Sequence, residues 1–180
     1  MDWIEQKRAD YFVVTSNVDG QFQKAGYSEE RILEVHGSIH HLQCLTPCRH
    51  IIWDNFEEIP VDHDTMRARH IPKCPHCGGV ARPNILMFGD WSWLSGRTRG
   101  QEMRFDKFCA QHAGEPLTVV EMGAGTAIPT IRYTSEKLGH TTKATVIRVN
   151  PREPQIGGRH ISLPCGALEG LEGIEKALGA

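Results

Sequence analysis

The sequence predicts an α/β fold: a Rossmann-like parallel sheet with helices on both faces, plus a small inserted zinc-ribbon module. Three observations carry that expectation. Short apolar runs alternate with helical stretches, the order that builds parallel sheets. The segment LTVVEMGAGTAIPTIR reads as strand, glycine turn and helix, the opening of a nucleotide-binding unit. Between residues 39 and 83 this regularity stops, and two close pairs of cysteines stand there instead.

Taken in order, residues 2–10 are expected to form a short helix with Trp3 and Ile4 as its apolar contacts. Tyr11–Val14 is short and apolar enough for a buried strand, and it runs into the polar loop TSNVDG. Gln21–Ala25 starts a helix closed by Gly26, and Ile32–Val35 is a second strand ending on His36-Gly37-Ser38. After the cysteine-rich stretch, Ile85–Phe88 is a strand, Asp90–Gly100 is irregular with two tryptophans, and Gln101–His112 is helical. Leu117–Met122 is a strand, Gly123–Thr126 a turn, and Ala127–Leu138 a helix with Pro129 tolerated in its first turn. Ala144–Val149 is the next strand. Gly166–Leu178 closes the chain as a helix with apolar residues at 168, 171, 174 and 178. The domain division that follows is 1–38 with 84–180 for the nucleotide-binding domain and 39–83 for the inserted module.

Composition narrows the function classes. The 180 residues are 39% hydrophobic and 23% charged, which fits an ordinary globular protein. A net charge of −2 with no run of five like charges points to no nucleic acid and no membrane partner. No apolar stretch approaches the ~18 residues a membrane span needs. The opening MDWIEQKRAD has charges of both signs and no apolar core, so a cytoplasmic location is expected and not a secretory leader.

Of six cysteines, four form Cys44-x3-Cys48 and Cys74-x2-Cys77, separated by 25 residues. In a cytoplasmic chain that pattern favours a metal over disulfides. Two pairs joined by a hairpin suit tetrahedral Zn²⁺, and Pro75 with Gly78-Gly79 favours the tight turn that lets amides reach the sulfurs. Four protein ligands leave no open position, so this zinc is structural. That closed shell argues against a metal-dependent hydrolase, and the second pair argues against redox work by Cys74 and Cys77. His50, His70 and His76 stand close enough in sequence to be alternative ligands. Cys109 and Cys165 stand alone and read as packing thiols.

The glycine turn after Met122 lets backbone approach a phosphate at a helix start. Twenty-five residues past Gly125, Asn150 ends the next strand, where a ribose-binding residue is expected.

Together, TSNVDG, VHGS, the paired cysteines, RPNILMFGD and strand–GAGT–helix–strand–Asn follow the order found in sirtuins, the NAD-dependent protein-lysine deacylases. The resemblance covers nearly the whole chain from Tyr11 onward and is greatest to a bacterial subgroup. It implies a catalytic cleft between a nucleotide-binding domain and a zinc module, NAD as co-substrate and an acylated-lysine protein or peptide as substrate. By resemblance, Thr15, Ser16, Asn17, Val18 and Asp19 line the nicotinamide and ribose pocket. Asn17 orients the ribose hydroxyls and a water, and Asp19 contacts the nicotinamide amide. Ser16 stands where most members have Gln. His36 matches the catalytic histidine, a residue type that titrates near neutrality and so suits a general base. His40 and His41 read as structural.

In the mechanism the resemblance implies, the acyl-lysine carbonyl oxygen attacks the nicotinamide ribose and nicotinamide leaves. His36 then deprotonates a ribose hydroxyl, and the products are free lysine, nicotinamide and O-acyl-ADP-ribose. Phe88 and Gly89 match residues that pair with the peptide substrate, with Asp90 in place of the family's Glu. Trp91 and Trp93 read first as tryptophans capping a core edge, with the wall of the acyl-lysine tunnel as the alternative that the resemblance implies. Gly123, Gly125 and Thr126 match the turn near the NAD phosphates and ribose, in a version one residue shorter before its proline. Asn150 matches the residue near the adenosine ribose.

Sirtuins also carry an upstream Gly-Ala-Gly…Asp-Phe-Arg segment that cradles the pyrophosphate. Its absence here is expected to reflect a fragment of a complete enzyme, a second chain supplying that part, or a catalytically inactive zinc- and nucleotide-binding module. The deacylase is the first reading and the inactive module the alternative.

Overall fold

A computed structural model describes residue 4, residues 9–142 and residues 144–179. The helix expected over residues 2–10 lies mostly outside the described residues. The chain divides into two compact units, Tyr11–Lys107 and Met1–Asp10 with Phe108–Ala180.

In the first unit, β1 (Val13–Thr15) pairs in parallel with β2 (Ile32–Glu34), with Thr15 opposite Glu34. The connection contains the short helix α1 (Gln21–Lys24) and a 3₁₀ turn at Glu29–Arg31. All of β2 is buried, so Ile32 and Leu33 sit in the core beside the carboxylate of Glu34. Directly after His36 comes β3 (Gly37–Cys44), which pairs antiparallel with β4 (Ile52–Asp54) on one side and β7 (Ala81–Ile85) on the other. Gly37 is required at the start of β3. Its φ is 82°, and a Cβ there would lie 2.0 Å from the Asn84 carbonyl oxygen. One strand therefore runs from the VHGS motif to the first cysteine, crossing position 38/39. A small hairpin of β5 (Val61–Asp62) and β6 (Arg67–Ala68) sits between β4 and β7.

The strand expected at Ile85–Phe88 is instead β7, which ends at Ile85. Its rungs come from pairing with β3, and the last backbone bond on that side runs from Leu86 N–H to the His36 carbonyl. Beyond it the chain turns at Gly89 (φ 68°) and leaves Phe88 90% exposed. The polar ARPN segment makes a strand because its side chains find partners. Asn84 donates to Gln43 Oε1 at 2.8 Å and to the Leu94 carbonyl, and Gln43 donates to the Ser92 carbonyl. Arg82 pairs with Asp90 at 2.6 Å. Burial alone would raise Asp90, but bonds from Arg82 and Ser92 outweigh it and hold the carboxyl below its usual range. Helix α2 (Gly96–Gln111) starts five residues earlier than the sequence suggests, inside the stretch expected to be irregular.

In the second unit, β8 (Thr118–Met122), β9 (Thr145–Val149) and β10 (Ile161–Leu163) form a parallel sheet with β9 central. β10 is not among the expected strands, being only three residues long. Helix α3 (Thr130–Thr141) packs on β8 and β9. It opens at Thr130 and not at Ala127, with Pro129 as the residue flanking its first turn. Its buried positions are Arg132, Ser135 and Gly139, small or polar side chains against the sheet. Helix α4 (Ala167–Leu178) approaches through Gly170, where a Cβ would meet Val149 Cγ1 at 2.6 Å. Only part of the expected apolar stripe is covered: Leu171 and Ile174 are half-buried, whereas Leu168 stays 71% exposed. No helix of the described residues is long and apolar enough to cross a membrane.

Candidate active site and metal centre

Parallel pairing places the loops that follow β1 and β2 at the same end of both strands. The Thr15 carbonyl accepts from Val35 N–H at 3.0 Å, so residues 16–19 and 35–37 leave the sheet side by side. The opening of β3 then closes on the first loop, with Ile39 N–H donating to the Val18 carbonyl at 2.9 Å. Thr15 Oγ1 accepts from Asn17 N–H and fixes the bend. Among the described residues, the side chains of Asn17 and His36 have no hydrogen-bond partner; Asn17 is exposed and His36 half-buried. The Asp19 carboxylate only caps Gln21 N–H at 3.3 Å.

His40, expected to be structural, holds this loop in place. A ring nitrogen lies 3.0 Å from the Asp19 carbonyl oxygen. Gly20 adopts φ 68°, and a Cβ there would lie 2.6 Å from the His40 ring. The Asp-Gly pair is the available signal, since a left-handed glycine after Asp needs room behind it. Glu34, two residues before His36, is buried against α2. Its carboxylate pairs with Arg97 Nη2 at 2.6 Å and accepts from Gln101, while Thr98 donates to its carbonyl.

Phe88 and Gly89 lie on the exposed turn after β7, flanked by the Arg82–Asp90 pair. Trp91 is 98% exposed, and Trp93 is half-buried.

In the second unit, the loops after β8 and β9 are tied together. Asn150 donates from Nδ2 to the Ala124 carbonyl at 3.0 Å and accepts on Oδ1 from Arg152 and Glu153 N–H, both at 2.9 Å. Thr126 donates from both its amide and its hydroxyl to the Glu153 carboxylate. Those two bonds hold the Glu153 carboxyl below its usual range. Arg132 braces the turn from beneath through the carbonyls of Ala124 (2.8 Å) and Glu153 (2.6 Å). Gly123 has φ 67°, and a Cβ there would meet nothing within 4 Å. Gly125 faces the Glu153 carboxylate, which a Cβ would approach to 3.6 Å. No motif or spacing singles out Glu153.

The four cysteines come together. All four Sγ atoms lie within 4.8 Å of one another, and the Cys44–Cys77 and Cys48–Cys74 separations are both 3.7 Å. A tetrahedron with Zn–S bonds of ~2.3 Å has sulfurs about 3.8 Å apart, whereas a disulfide needs about 2.05 Å. The cysteines are positioned to bind a zinc ion. The second knuckle closes as Cys74 N–H donates to the Gly79 carbonyl at 2.7 Å and Gly78 N–H to the Cys74 carbonyl. The amides of Cys77 and His76 draw the Cys74 thiol down to about 7. Desolvation and bonds with the other thiols push Cys48 up to about 12, so a metal must displace protons to bind. His50, His70 and His76 are not in this cluster, and His70 pairs with Glu57 at 2.6 Å.

Comparison with known proteins agrees with this arrangement. The NAD-dependent protein deacylase of Aquifex aeolicus is 28% identical over 156 residues, 85% of this chain and 55% of that protein. The NAD-dependent protein deacylase of Aeropyrum pernix is 29% identical over 172 residues, 93% of this chain and 60% of that protein. The chain thus spans somewhat more than half the length of these relatives. A crystal structure of a Sir2 homologue–NAD complex shares the fold, with a TM-score of 0.62 at 20% identity over 97% of this chain and 62% of that one. The profile described as "Sir2 family" matches residues 1–99, more than half of the sequence and the part that carries TSNVDG, VHGS, all four clustered cysteines and FGD, and on that match the chain belongs to the Sir2 family.

Proposed function

We propose that this chain carries the chemistry of an NAD-dependent protein-lysine deacylase acting in the cytoplasm, with His36 as general base. The observation that carries the reading is the parallel register of β1 and β2. It brings Asn17, Asp19 and His36 to one sheet end while the Asn17 and His36 side chains have no partner among the described residues. Polar side chains held in place without internal partners are what a ligand site needs.

NAD, when bound, supplies a sugar carbon whose bond to nicotinamide breaks as the acyl-lysine carbonyl oxygen attacks. Asp19 holds the nicotinamide amide, and Thr15, Ser16 and Val18 shape the loop around it. Asn17 orients the ribose hydroxyls and a water. His36 accepts a proton from a ribose hydroxyl on its imidazole, as a neutral ring can. Phe88 and Gly89, on the exposed turn after β7, pair with the substrate peptide as an added strand. The deprotonated hydroxyl attacks the acyl carbon, one water adds there, and the C–N bond to lysine breaks with proton transfer to the amine, so that nicotinamide, free lysine and O-acyl-ADP-ribose are released.

Gly123, Gly125, Thr126 and Asn150 serve the adenosine end of NAD. The Glu153 carboxylate at this turn repels a phosphate but accepts readily from sugar hydroxyls, so the ribose and not the pyrophosphate lies here. Residues 39–83 act as the zinc module, whose closed four-sulfur shell braces the structure without entering the reaction.

The test is nicotinamide release from NAD in the presence of an acetyl-lysine peptide. Turnover is expected, with His36→Ala lowering kcat about 10²- to 10⁴-fold while NAD binding persists. Equal release by His36→Ala overturns the assignment of the base. NAD binding with no release from the parent protein favours the alternative, an inactive zinc- and nucleotide-binding module.

A further inference from the structure

The His36 side chain has no partner among the described residues, so its ring is aimed by its own backbone. That backbone is tied on two sides. Val35 N–H donates to the Thr15 carbonyl at 3.0 Å, and the His36 carbonyl accepts from Leu86 N–H at 2.9 Å. Parallel pairing with β1 turns the peptide groups of Glu34 the other way, toward the outer edge of β2.

Among the described residues no strand pairs with that edge, and side chains of α2 stand in for one. Glu34 N–H donates to Gln101 Oε1 at 3.0 Å, and the Glu34 carbonyl accepts from the Thr98 hydroxyl at 3.3 Å. The carboxylate of the same residue takes Arg97 Nη2 at 2.6 Å and Gln101 Nε2 at 3.3 Å. Arg97, Thr98 and Gln101 share one face of the first two turns of α2, at i, i+1 and i+4. Glu34, Thr98 and Gln101 are at most 3% exposed, so water does not replace these bonds. Backbone and side chain of Glu34 are thus gripped together, two residues before the ring that the fold leaves free.

We propose, resting on the deacylase reading, that Arg97, Thr98 and Gln101 are positioning residues for its second step: through Glu34 they fix the direction in which His36 leaves β2. Cohesion alone does not call for this arrangement, because a buried ion pair adds little stability over apolar groups of the same volume; what it adds here is a fixed geometry. In the first step the acyl oxygen bonds to the sugar carbon as the bond to nicotinamide breaks. No base takes part, and the step runs backward while the sugar hydroxyl keeps its proton. His36 then takes that proton, and the freed oxygen attacks the acyl carbon. A displaced imidazole therefore slows the second step and spares the first.

Two rates measured on the intact chain with NAD and an acetyl-lysine peptide separate the steps: incorporation of labelled nicotinamide into NAD, and release of deacetylated peptide. Arg97→Met strands the Glu34 carboxylate and is expected to unfold the first unit, so the variants are Gln101→Met and Thr98→Val, which leave the ion pair in place. Gln101→Met is expected to lower deacetylation about tenfold, with nicotinamide exchange and the KM for NAD within about twofold of the parent. Thr98→Val has the same effect to a smaller degree, and Thr98→Ser, which keeps the hydroxyl, restores the parent rate. In NAD-free protein the His36 ring Cε1–H signal, assigned by its loss in His36→Ala, moves in Gln101→Met while that of His112 does not. Equal loss of both rates, loss of neither, Thr98→Ser as impaired as Thr98→Val, or an unmoved His36 signal overturns the positioning role alone. A parent protein with neither exchange nor deacetylation overturns the deacylase reading and this role with it.

Discussion

Two strand ends in this molecule have similar ingredients and use them oppositely. After β1 and β2 stand Asn17, Asp19 and His36; after β8 and β9 stand Thr126, Asn150 and Glu153. At the first end, the scaffold of the loop is made from backbone bonds, the Thr15 hydroxyl and the His40 ring, and the Asn17 and His36 side chains have no partner among the described residues. At the second, the side chains bond to the loops themselves. Asn150 makes three bonds and Glu153 takes two from Thr126. The same residue type, Asn shortly after a parallel strand, is thus without a side-chain partner among the described residues in one place and a loop brace in the other. Sequence position alone does not distinguish them.

The difference extends beneath the loops, and there the largest effect is expected. Glu121 on β8 and Arg148 on β9 face each other in register, both buried, with Nε to Oε1 at 2.6 Å. Arg148 also reaches Glu136 at 2.7 Å and the Gln155 carbonyl, and Ser135 donates to Glu121. Removing one partner leaves an uncompensated charge in the sheet. Arg148→Met is expected to cost about 3–5 kcal/mol in denaturant unfolding. The double variant Arg148→Met with Glu121→Leu should recover much of that loss, because a buried pair replaced by apolar groups is often neutral. A double variant as unstable as the single one would show that the network, and not the stranded charge, sets the cost.

Next in size are the two asparagines. Asn150→Ala strands the amides of Arg152 and Glu153 and is expected to destabilise by about 1–3 kcal/mol. Asn150→Asp keeps the acceptor and loses only the bond to Ala124, so its cost should be smaller. Asn17→Ala and His36→Ala, in contrast, should stay within about 0.5 kcal/mol of the parent, while nicotinamide release falls. If Asn17→Ala costs as much as Asn150→Ala in the same unfolding assay, the contrast between the two ends is gone.

Element type is largely legible in the sequence, because short apolar runs such as VVEM and VIRV have few alternatives to a buried strand. The cysteine cluster is legible too, since ligand spacing survives without any knowledge of tertiary contacts. What stays hidden is pairing at long range. Glu121 and Arg148 sit 27 residues apart and Gln43 and Asn84 41 apart, and hydrophobic periodicity carries no information about such partners. A signal does exist for the first pair: opposite charges inside two adjacent apolar strands demand each other. Helix α3 begins at Thr130 because Asn150, Arg132 and Glu153 hold the intervening loop in an irregular path that propensity does not reveal. β7 departs from its expected place for the same reason, with ARPN looking too polar for a strand until Gln43, Ser92 and Asp90 supply its partners. At the candidate site the motifs mark Asn17, Asp19 and His36, but His40 and Glu153 act through geometry that no motif announces.

The smallest effect concerns a polar cluster at the surface of the second unit, with His112 half-buried beside two exposed carboxylates, and so tests how much engagement near solvent is worth. His112 lies 2.7 Å from Glu115 and 3.1 Å from Asp10, one carboxylate on each ring nitrogen. The bond to Glu115, then that to Asp10, raises its pKa above 6.5 despite some desolvation. The folded state therefore binds this proton more tightly than the unfolded one. Its contribution is fully present below about pH 6.5 and is lost as pH rises through the raised folded value. Thermal melts between pH 5.5 and 9 should show the parent losing Tm relative to His112→Gln across that interval, with the two curves parallel above it. Parallel curves throughout would mean that water screens the pair completely, and that only the buried networks of this unit, Arg148 foremost, hold its strand ends together.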